Sequence, residues 1–340
     1  FLFLIRQIMI KYPDRIPLAF LPTPFKKLEK LTVPNFDGTI WIKHDELTGT
    51  EVSGNKVRKL EFSIAHALKE GCNTLITCGG IQSNHCRATA VIGAKLGLNV
   101  HLILRGQKPE LIEGNLLLDL LAGAEVTYLP QKDWSGHEAL AASLQKEYAG
   151  RGDKAHFIPT GASDEIGIWG YIAAWEELTE DFKDNGVNPE YVVVPTGSGG
   201  TQAGLLVGAQ IQKAKTKIVA FNVCDDSNYF EDKIKADVSL WKQRYKTEFD
   251  ETALNIKTLE GYMGPAYGEA EEIVFKTIAN LAKVEGVFLD PVYTGKAFHG
   301  MVSELSLGDR GRLQGAKNIV FIHTGGLFGV FPQHKNFQFD

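Results

Sequence analysis

The chain has 340 residues, 44% of them hydrophobic, so it can bury a large core, and its length is typical of about two domains. Its 36 basic and 41 acidic residues give a formal net charge of −5 without a long like-charged block, so nucleic acid and membrane surfaces are not expected partners. The 4 cysteines show no metal-ligand spacing and are too few for a disulfide scaffold, which predicts a reduced compartment and no metal site.

The N-terminal segment is apolar but too short to be a membrane anchor. Arg6 interrupts residues 1–10, and a bilayer-spanning helix needs about 20 apolar residues. The sequence does not begin with methionine, so a targeting segment is an open alternative. We expect a cytoplasmic protein, or a protein of the mitochondrial matrix if such a segment precedes this sequence.

A proline-rich arm leads to the first predicted strand. Residues 11–35 carry prolines at 13, 17, 22, 24 and 34 and predict an arm crossing the surface. Residues 39–43 are β-branched and aromatic, which predicts a short strand before His44-Asp45-Glu46.

A lysine stands at the start of the next predicted helix. In residues 53–62, Ser-Gly-Asn-Lys-Val-Arg-Lys-Leu-Glu-Phe, apolar residues begin to recur at helical spacing just after Lys56. The helix macrodipole is positive there and disfavours a cation. A Schiff base between this lysine and an aldehyde would explain a lysine at the positive end of the helix, and a solvated surface lysine is the alternative.

From residue 72 onwards, predicted strands alternate with predicted helices. In the first unit the strands are 74–78, 100–104, 125–129 and 156–159, and the helices are 83–96, 114–121 and 136–148. In the second unit the strands are 191–195, 218–223 and 318–323, and the helices are 166–178, 202–213, 269–286 and 300–307. Residues 225–260 are expected to be peripheral helix and loop. This alternation predicts an α/β protein with doubly wound parallel sheets that bind ligands at the strand carboxyl ends.

A glycine-rich turn follows the strand that begins at Tyr191. In Pro195-Thr196-Gly197-Ser198-Gly199-Gly200-Thr201, backbone N–H groups can converge on an anion at a helix N-terminus. The turn has no lysine, which excludes a nucleoside triphosphate P-loop, and its spacing does not match the dinucleotide fingerprint. It fits a single phosphate monoester, or a purely structural turn. Together with a Schiff-base lysine, it indicates pyridoxal phosphate.

A second turn of this kind lies at Gly79-Gly80-Ile81-Gln82-Ser83-Asn84-His85. Ser83 could simply cap the following helix. Free N–H groups at Asn84 and His85 could also hold a substrate carboxylate, and the Asn84 side chain could contact the phenolic oxygen of the cofactor. His85 and Cys86 are interpreted as structural side chains.

These motifs, together with Asp290-Pro291-Val292-Tyr293, resemble one group of enzymes in order and over about residues 20 to 335. The group is the pyridoxal-phosphate enzymes of fold type II, which have the tryptophan synthase β-subunit fold. The most similar branch contains 1-aminocyclopropane-1-carboxylate (ACC) deaminase and D-cysteine desulfhydrase. The resemblance implies two doubly wound domains with the cofactor in the cleft between them. It implies a large domain of residues 11–57 and 166–340, a small domain of residues 58–165, a homodimer and an amino-acid substrate.

The resemblance also implies the roles of individual residues. Lys56 would be the Schiff-base lysine, and Ser83, Tyr267 and Tyr293 would face the substrate as catalytic residues. Cofactor contacts are implied for Lys56, Asn55, Asn84, Thr196, Gly197, Ser198, Gly199, Gly200, Thr201 and Thr324. Substrate contacts are implied for Gln82, Ser83, Asn84 and His85. Arg58, Lys59 and Lys296 are interpreted as solvated or inter-element charges.

Three positions favour the desulfhydrase branch. Thr294 replaces a glutamate of the deaminase pattern, Thr324 replaces a leucine, and His85 replaces a glutamine. Ring opening of ACC needs a strong electron sink, which a carboxylate beside the pyridine nitrogen supports, and threonine offers only a hydrogen bond. The sequence therefore predicts β-elimination of D-cysteine to pyruvate, hydrogen sulfide and ammonia. The alternatives are ACC deamination, a lyase for cysteate or β-chloroalanine, and a non-catalytic phosphate-binding protein.

Overall fold

The computed structural model describes residues 11–339, which form two sheets flanked by helices. The strands are β1 (Phe25–Lys27), β2 (Thr39–Lys43), β3 (Thr74–Gly80), β4 (Asn99–Arg105), β5 (Glu125–Leu129), β6 (Ala155–Ile158), β7 (Tyr191–Thr196), β8 (Lys217–Asn222), β9 (Lys257–Leu259) and β10 (Asn318–Ile322). The α-helices are α1 (Asn55–Lys69), α2 (Asn84–Leu96), α3 (Gly114–Leu121), α4 (His137–Gly150), α5 (Trp169–Asp184), α6 (Gly200–Ile211), α7 (Ser227–Tyr245), α8 (Glu272–Glu285) and α9 (Thr294–Ser306).

Both sheets are almost entirely parallel. The larger sheet has the strand order β1-β2-β10-β7-β8-β9 and the smaller has the order β5-β4-β3-β6. Within these sheets only the edge pair β1 and β2 is antiparallel. Parallel neighbours need crossover connections, which the helices provide. The predicted α/β class with doubly wound parallel sheets is confirmed.

The central strands of the larger sheet are buried on both faces. In β10, Val320 and Ile322 belong to one hydrophobic cluster, while Ile319 and Phe321 belong to the cluster on the opposite face. Successive side chains of a strand point to opposite faces, so a continuous apolar run is what a sheet covered on both sides requires. This burial explains why these strands could be predicted from hydrophobicity alone.

Several element bounds differ from the prediction. β1 lies inside the predicted arm and β9 inside residues 225–260, because three-residue edge strands carry little hydrophobic signal. Helix α7 lies in the same region and agrees with the expected peripheral helix. Helix α9 begins at Thr294, not at residue 300. Its early glycine, Gly295, suggests a loop, but a Cβ there would lie 2.6 Å from the carbonyl oxygen of Asp290, so close packing explains the glycine.

The site is formed where the carboxyl ends of both sheets meet. β3 leads into the turn before α2, β7 leads into the turn before α6, and β10 leads into residues 323–326. The four strands of the smaller sheet fall within residues 58–165, and the domain boundaries themselves stay a prediction. Within residues 11–339, no helix is both long enough and apolar enough to cross a membrane.

Candidate active site

The turn before Lys56 is held by three separate segments. Gly54 has φ of 108°, and a Cβ there would lie 2.6 Å from the carbonyl oxygen of Thr324, so only glycine allows this approach. The N–H of Gly54 donates to the hydroxyl of Thr48 at 2.9 Å, and the N–H of Asn55 donates to that same Thr324 carbonyl at 3.1 Å. The side-chain amide of Asn55 donates to the hydroxyl of Thr201 at 2.9 Å. The start of α1 is thereby fixed to the end of β10 and to α6.

Lys56 points its amine toward the glycine-rich turn. The predicted position at a helix N-terminus is confirmed, since α1 begins at Asn55. A Cβ added to Gly161 would lie 3.5 Å from Nζ of Lys56 and 2.5 Å from Oγ of Ser198, so both side chains meet over this glycine. Burial lowers the pKa of Lys56 to about 8. An amine of this kind is partly neutral near physiological pH and can act as a nucleophile or a base.

The turn between β7 and α6 presents unpaired N–H groups. Within the described residues, the N–H groups of Gly197, Ser198, Gly199 and Thr201 have no acceptor. They lie at the N-terminus of α6, where the helix dipole is positive. Orphaned donors at a helix N-terminus are what a phosphate group needs, so the turn fits the phosphate monoester that the sequence predicts.

Gly200 and Ser163 play a supporting part in the turn. The N–H of Gly200 donates to Oγ of Ser163 at 3.1 Å, and Oγ of Ser163 lies 2.8 Å from Oγ of Ser198. The predicted contact of Gly200 with the cofactor stays a prediction; in this structure its N–H is bound to Ser163.

These segments line a cavity. Its lining comprises Asn55, Lys56, Asn84, Pro195, Thr196, Gly197, Ser198, Gly199, Thr201, Tyr293, Thr324 and Gly325. The structure thus brings together nearly all the residues predicted to contact the cofactor. The predicted residues Gln82, Ser83, His85, Gly200 and Tyr267 do not line this cavity.

The turn before α2 has the geometry of a helix cap with two free donors. Oγ of Ser83 accepts from the N–H of Cys86 at 3.2 Å, which is the capping alternative that the sequence left open. The N–H groups of Asn84 and His85 have no acceptor within the described residues, so they are available to a carboxylate.

The side chains of Gln82 and His85 in this turn are bound to other parts of the protein. Gln82 accepts from the N–H of Asn115 at 2.8 Å and donates to the carbonyl oxygen of Glu113 at 3.0 Å, so it fixes the start of α3. The His85 imidazole is buried 2.7 Å from the hydroxyl of Thr77, and burial lowers its pKa well below the usual value. The predicted substrate contacts of Gln82 and His85 stay predictions; in this structure the Gln82 side chain holds the start of α3, and the His85 imidazole contacts Thr77.

Tyr267 and Tyr293 form a pair at the side of the cavity. Their hydroxyl oxygens lie 2.7 Å apart, and the ring of Tyr293 packs on Gly197, where an added Cβ would be 2.9 Å from Cε1. Burial raises the pKa of both phenols, and that of Tyr293 is raised well above its ordinary value. Tyr293 reaches the cavity directly, and Tyr267 reaches it through Tyr293.

Thr294 and Thr324, which favour the desulfhydrase branch in the sequence, have different surroundings. Thr324 lines the cavity. Thr294 does not, because its hydroxyl donates to the Asp290 carboxylate at 2.7 Å and accepts from the N–H of Asp290 at 2.8 Å. Asp290 also accepts from the N–H groups of Val292 and Tyr293 and so caps α9. The expectation that Thr294 faces the pyridine nitrogen stays a prediction; in this structure its hydroxyl is bound to Asp290, and the Thr324 side chain lines the cavity.

The three charged residues interpreted from the sequence as solvated or inter-element charges are buried. Lys59 is fully buried and donates to Oγ of Ser163 at 3.2 Å, so its amine supports the glycine-rich turn from behind. Burial, and next the charge of Lys56, lower the pKa of Lys59 well below its usual value. The spacing of Lys56 and Lys59 on one helix face was the available signal.

Arg58 and Lys296 are also buried. Arg58 forms a two-pronged contact with Asp45, at 2.9 and 2.7 Å, and an ion pair with Glu177 at 2.9 Å. This network between elements agrees with an inter-element role and contradicts a solvated one. Lys296 donates to the carbonyl oxygen of Ala266 at 3.0 Å, directly before Tyr267. Residues 11–339 contain no group of three or more His, Cys, Asp or Glu side chains that could hold a metal ion.

Comparison with known proteins identifies the family. The model of the pyridoxal-phosphate dependent enzyme family matches residues 16–325. A bifunctional D-cysteine desulfhydrase/ACC deaminase of Arabidopsis thaliana mitochondria is 42% identical over 327 residues, covering 93% of this chain and 79% of that protein. A Thermotoga maritima protein named for ACC deaminase is 37% identical over 323 residues, covering 94% of this chain and 99% of its own length.

A solved structure shows the same similarity in three dimensions. The crystal structure of an ACC deaminase homologue superposes with a TM-score of 0.84 at 32% identity, covering 95% of each chain. The family match confirms pyridoxal phosphate as the cofactor. The chain belongs to the ACC deaminase and D-cysteine desulfhydrase family of pyridoxal-phosphate dependent enzymes.

Proposed function

We propose that the protein catalyses β-elimination of D-cysteine, giving pyruvate, hydrogen sulfide and ammonia. The observation that carries this proposal is the absence of a carboxylate from the lining of the cavity within the described residues. A pyridine nitrogen there would meet the Thr324 hydroxyl, which cannot hold a pyridinium charge as a carboxylate does. Such a site favours expulsion of a good leaving group such as thiolate over the opening of a cyclopropane ring.

The residues of the site fit the cofactor part by part. The free N–H groups of residues 197–199 and 201 suit its phosphate, and the amine of Lys56 lies within the same cavity. Asn84 and Thr324, which also line the cavity, would bind the phenolic oxygen and the ring nitrogen. When bound, pyridoxal phosphate supplies an aldehyde that condenses with amines and a conjugated ring that accepts an electron pair.

The substrate would be held and deprotonated by this chain's own groups. The free N–H groups of Asn84 and His85 would bind its carboxylate at the positive end of α2. Lys56 is the base proposed to take the proton from Cα, because its lowered pKa of about 8 leaves part of the amine neutral near pH 7. Tyr293, whose hydroxyl is hydrogen-bonded to Tyr267, would protonate or orient the departing sulfur.

ACC deamination is the second candidate function. It is favoured by the names of two relatives, since the Arabidopsis protein is described as bifunctional and the Thermotoga protein is named for this activity alone. Elimination from cysteate or β-chloro-D-alanine uses the same groups.

A homodimer and a location in the cytoplasm or the mitochondrial matrix also stay predictions.

Product identification decides between these reactions. The cofactor-loaded protein is incubated in parallel with D-cysteine, L-cysteine, β-chloro-D-alanine, cysteate and ACC. We expect sulfide and pyruvate from D-cysteine and no oxobutyrate from ACC. Oxobutyrate as the main product would contradict the argument from Thr324, while turnover of none of the five would favour a non-catalytic role.

A further inference from the structure

Tyr267 is contacted from the smaller sheet by an arginine. Arg105 is the last residue of β4, where it pairs with Gly80 of β3 and Leu129 of β5. Its guanidinium carbon lies 4.9 Å from the centre of the Tyr267 ring and 5.4 Å from the centre of the Trp134 ring. Within the described residues no carboxylate lies within 4.0 Å of this guanidinium. Two aromatic rings are therefore its principal contacts.

The tyrosine that Arg105 contacts comes from the loop after β9, an edge strand of the larger sheet. A Cβ added to Gly80 would lie 3.4 Å from Cε1 of Tyr267, so the ring covers the end of β3. The loop is held at Ala266 by Lys296 and at Gly268 by Gln333, through their backbone carbonyl oxygens. Arg105 and Tyr293 are the groups that hold the aromatic side chain itself.

A guanidinium over one ring makes the two phenols unequal. A cation above an aromatic face is attracted to the ring, and the attraction grows when the phenol oxygen carries negative charge. Burial raises the pKa of Tyr267, the Tyr293 hydroxyl and the charge of Arg105 lower it, and the thiols of Cys224 and Cys86 raise it. For Tyr293, burial, Tyr267, Cys224 and Asp290 all raise the pKa.

We propose that Arg105 is a positioning residue for the tyrosine pair: stacked on Tyr267 from the smaller sheet, it makes Tyr267 the acceptor and Tyr293 the donor of their shared hydrogen bond. Only one proton can lie between two oxygens 2.7 Å apart, and the phenol whose ring lies under the cation is the better acceptor. The Tyr293 proton is thereby held toward Tyr267, and the lone pairs of Tyr293 face the cavity.

The consequence for catalysis rests on the proposed function. With this hydrogen-bond direction, Tyr293 presents an acceptor to the cavity in the resting site, and protonation of a leaving sulfur requires the proton to return from the pair. Arg105 would then set the pH range in which the pair can supply that proton, without contacting the substrate.

The test measures the ionisation of Tyr267 directly. The chain has 10 tyrosines, which can be replaced by 3-fluorotyrosine, whose phenol ionises at lower pH. The ¹⁹F resonance of residue 267 in the cofactor-loaded protein is assigned by its loss in Tyr267→Phe. We expect its titration midpoint to rise by roughly 0.5 pH unit or more in Arg105→Gln, and by less in Arg105→Lys, which keeps the charge.

The control removes a comparable contact elsewhere. Arg151 lies over the ring of Tyr148 at 5.2 Å, outside the site, so Arg151→Gln should leave the Tyr267 midpoint unchanged. An unchanged midpoint in folded Arg105→Gln would overturn the inference, and if that variant does not fold, an unchanged midpoint in Arg105→Met, which also removes the charge, would do so. Because the titration needs no turnover, an inactive protein with the expected shift would count against the proposed function alone.

Discussion

The side-chain amide of Asn55 donates to the hydroxyl of Thr201 at 2.9 Å, and this buried contact joins the turn before Lys56 to the glycine-rich turn. One residue thus belongs to the segment that carries the amine, and the other to the segment that carries the free N–H groups. The distance between amine and phosphate site depends on this contact.

Replacement of Asn55 by alanine should destabilise the protein and loosen the cofactor. The Thr201 hydroxyl would lose its partner in a buried position, which costs about 1–3 kcal/mol in the free energy of unfolding. Denaturant unfolding of the cofactor-free protein measures this cost. Asn185→Ala is the matched control, because the exposed Asn185 amide donates only to the carbonyl oxygen of Asp181. Equal costs for the two variants would contradict the proposed link.

The lowered pKa of Lys56 predicts how cofactor binding depends on pH. The rate of recombination of the cofactor-free protein with pyridoxal phosphate should rise about tenfold per pH unit and level off above about pH 8. Nα-acetyl-lysine with the same cofactor is the reference, and Lys56→Ala should show no visible absorption from covalently bound cofactor. A rate that still rises steeply at pH 10 would show that the pKa is not lowered.

The lowered pKa of Lys56 also determines whether its contribution to the free energy of unfolding rises or falls with pH. The pKa of Lys56 is lowered from 10.5 in a free lysine to about 8, so the unfolded chain binds more protons between these values. The contribution of this residue to stability therefore increases with pH across that window. The difference in unfolding free energy between the protein and Lys56→Met, measured at pH 7.5 and pH 9.5, gives the sign.

Lys59→Met should weaken binding of the phosphate group specifically. Its amine supports Ser163 behind the glycine-rich turn, and a single hydrogen bond contributes about 0.5–1.5 kcal/mol, so the Kd for pyridoxal phosphate should rise about threefold to tenfold. The Kd for pyridoxal, which lacks the phosphate, should change little. Lys235→Met, which removes an exposed lysine paired with Glu231, is the control. An equal loss for both ligands would indicate general disruption of the site.

Thr324 and Thr294 should respond differently to substitution. Thr324→Val removes the hydroxyl that lines the cavity and should shift the absorption spectrum of the bound cofactor and lower kcat about tenfold. Thr294→Val removes two hydrogen bonds to Asp290 and should lower stability by about 1–3 kcal/mol with the spectrum unchanged. A changed spectrum in Thr294→Val with an unchanged one in Thr324→Val would indicate that Thr294, not Thr324, contacts the ring nitrogen.

The sequence by itself determined the class of fold, the position of Lys56 at a helix start and the glycine-rich turn. Each of these depends on residues that are neighbours in the sequence. Apolar runs form buried parallel strands, and glycines mark close backbone approach. The lysine and the turn together indicated the cofactor, and the resemblance added the tyrosine pair. The short edge strands β1 and β9 escaped prediction because three residues carry too little pattern.

Only the tertiary structure decided which polar side chains face the cavity. Thr294 and Thr324 look equivalent in the sequence, but the capping of α9 by Asp290 turns the first away and leaves the second in the lining. Gln82 lies in a site motif yet binds the start of α3, and Lys59 looks like a surface charge yet is buried behind Ser163. The reason is physical: a side chain's partners come from segments far away in the chain, and hydrogen-bond satisfaction on burial selects among them.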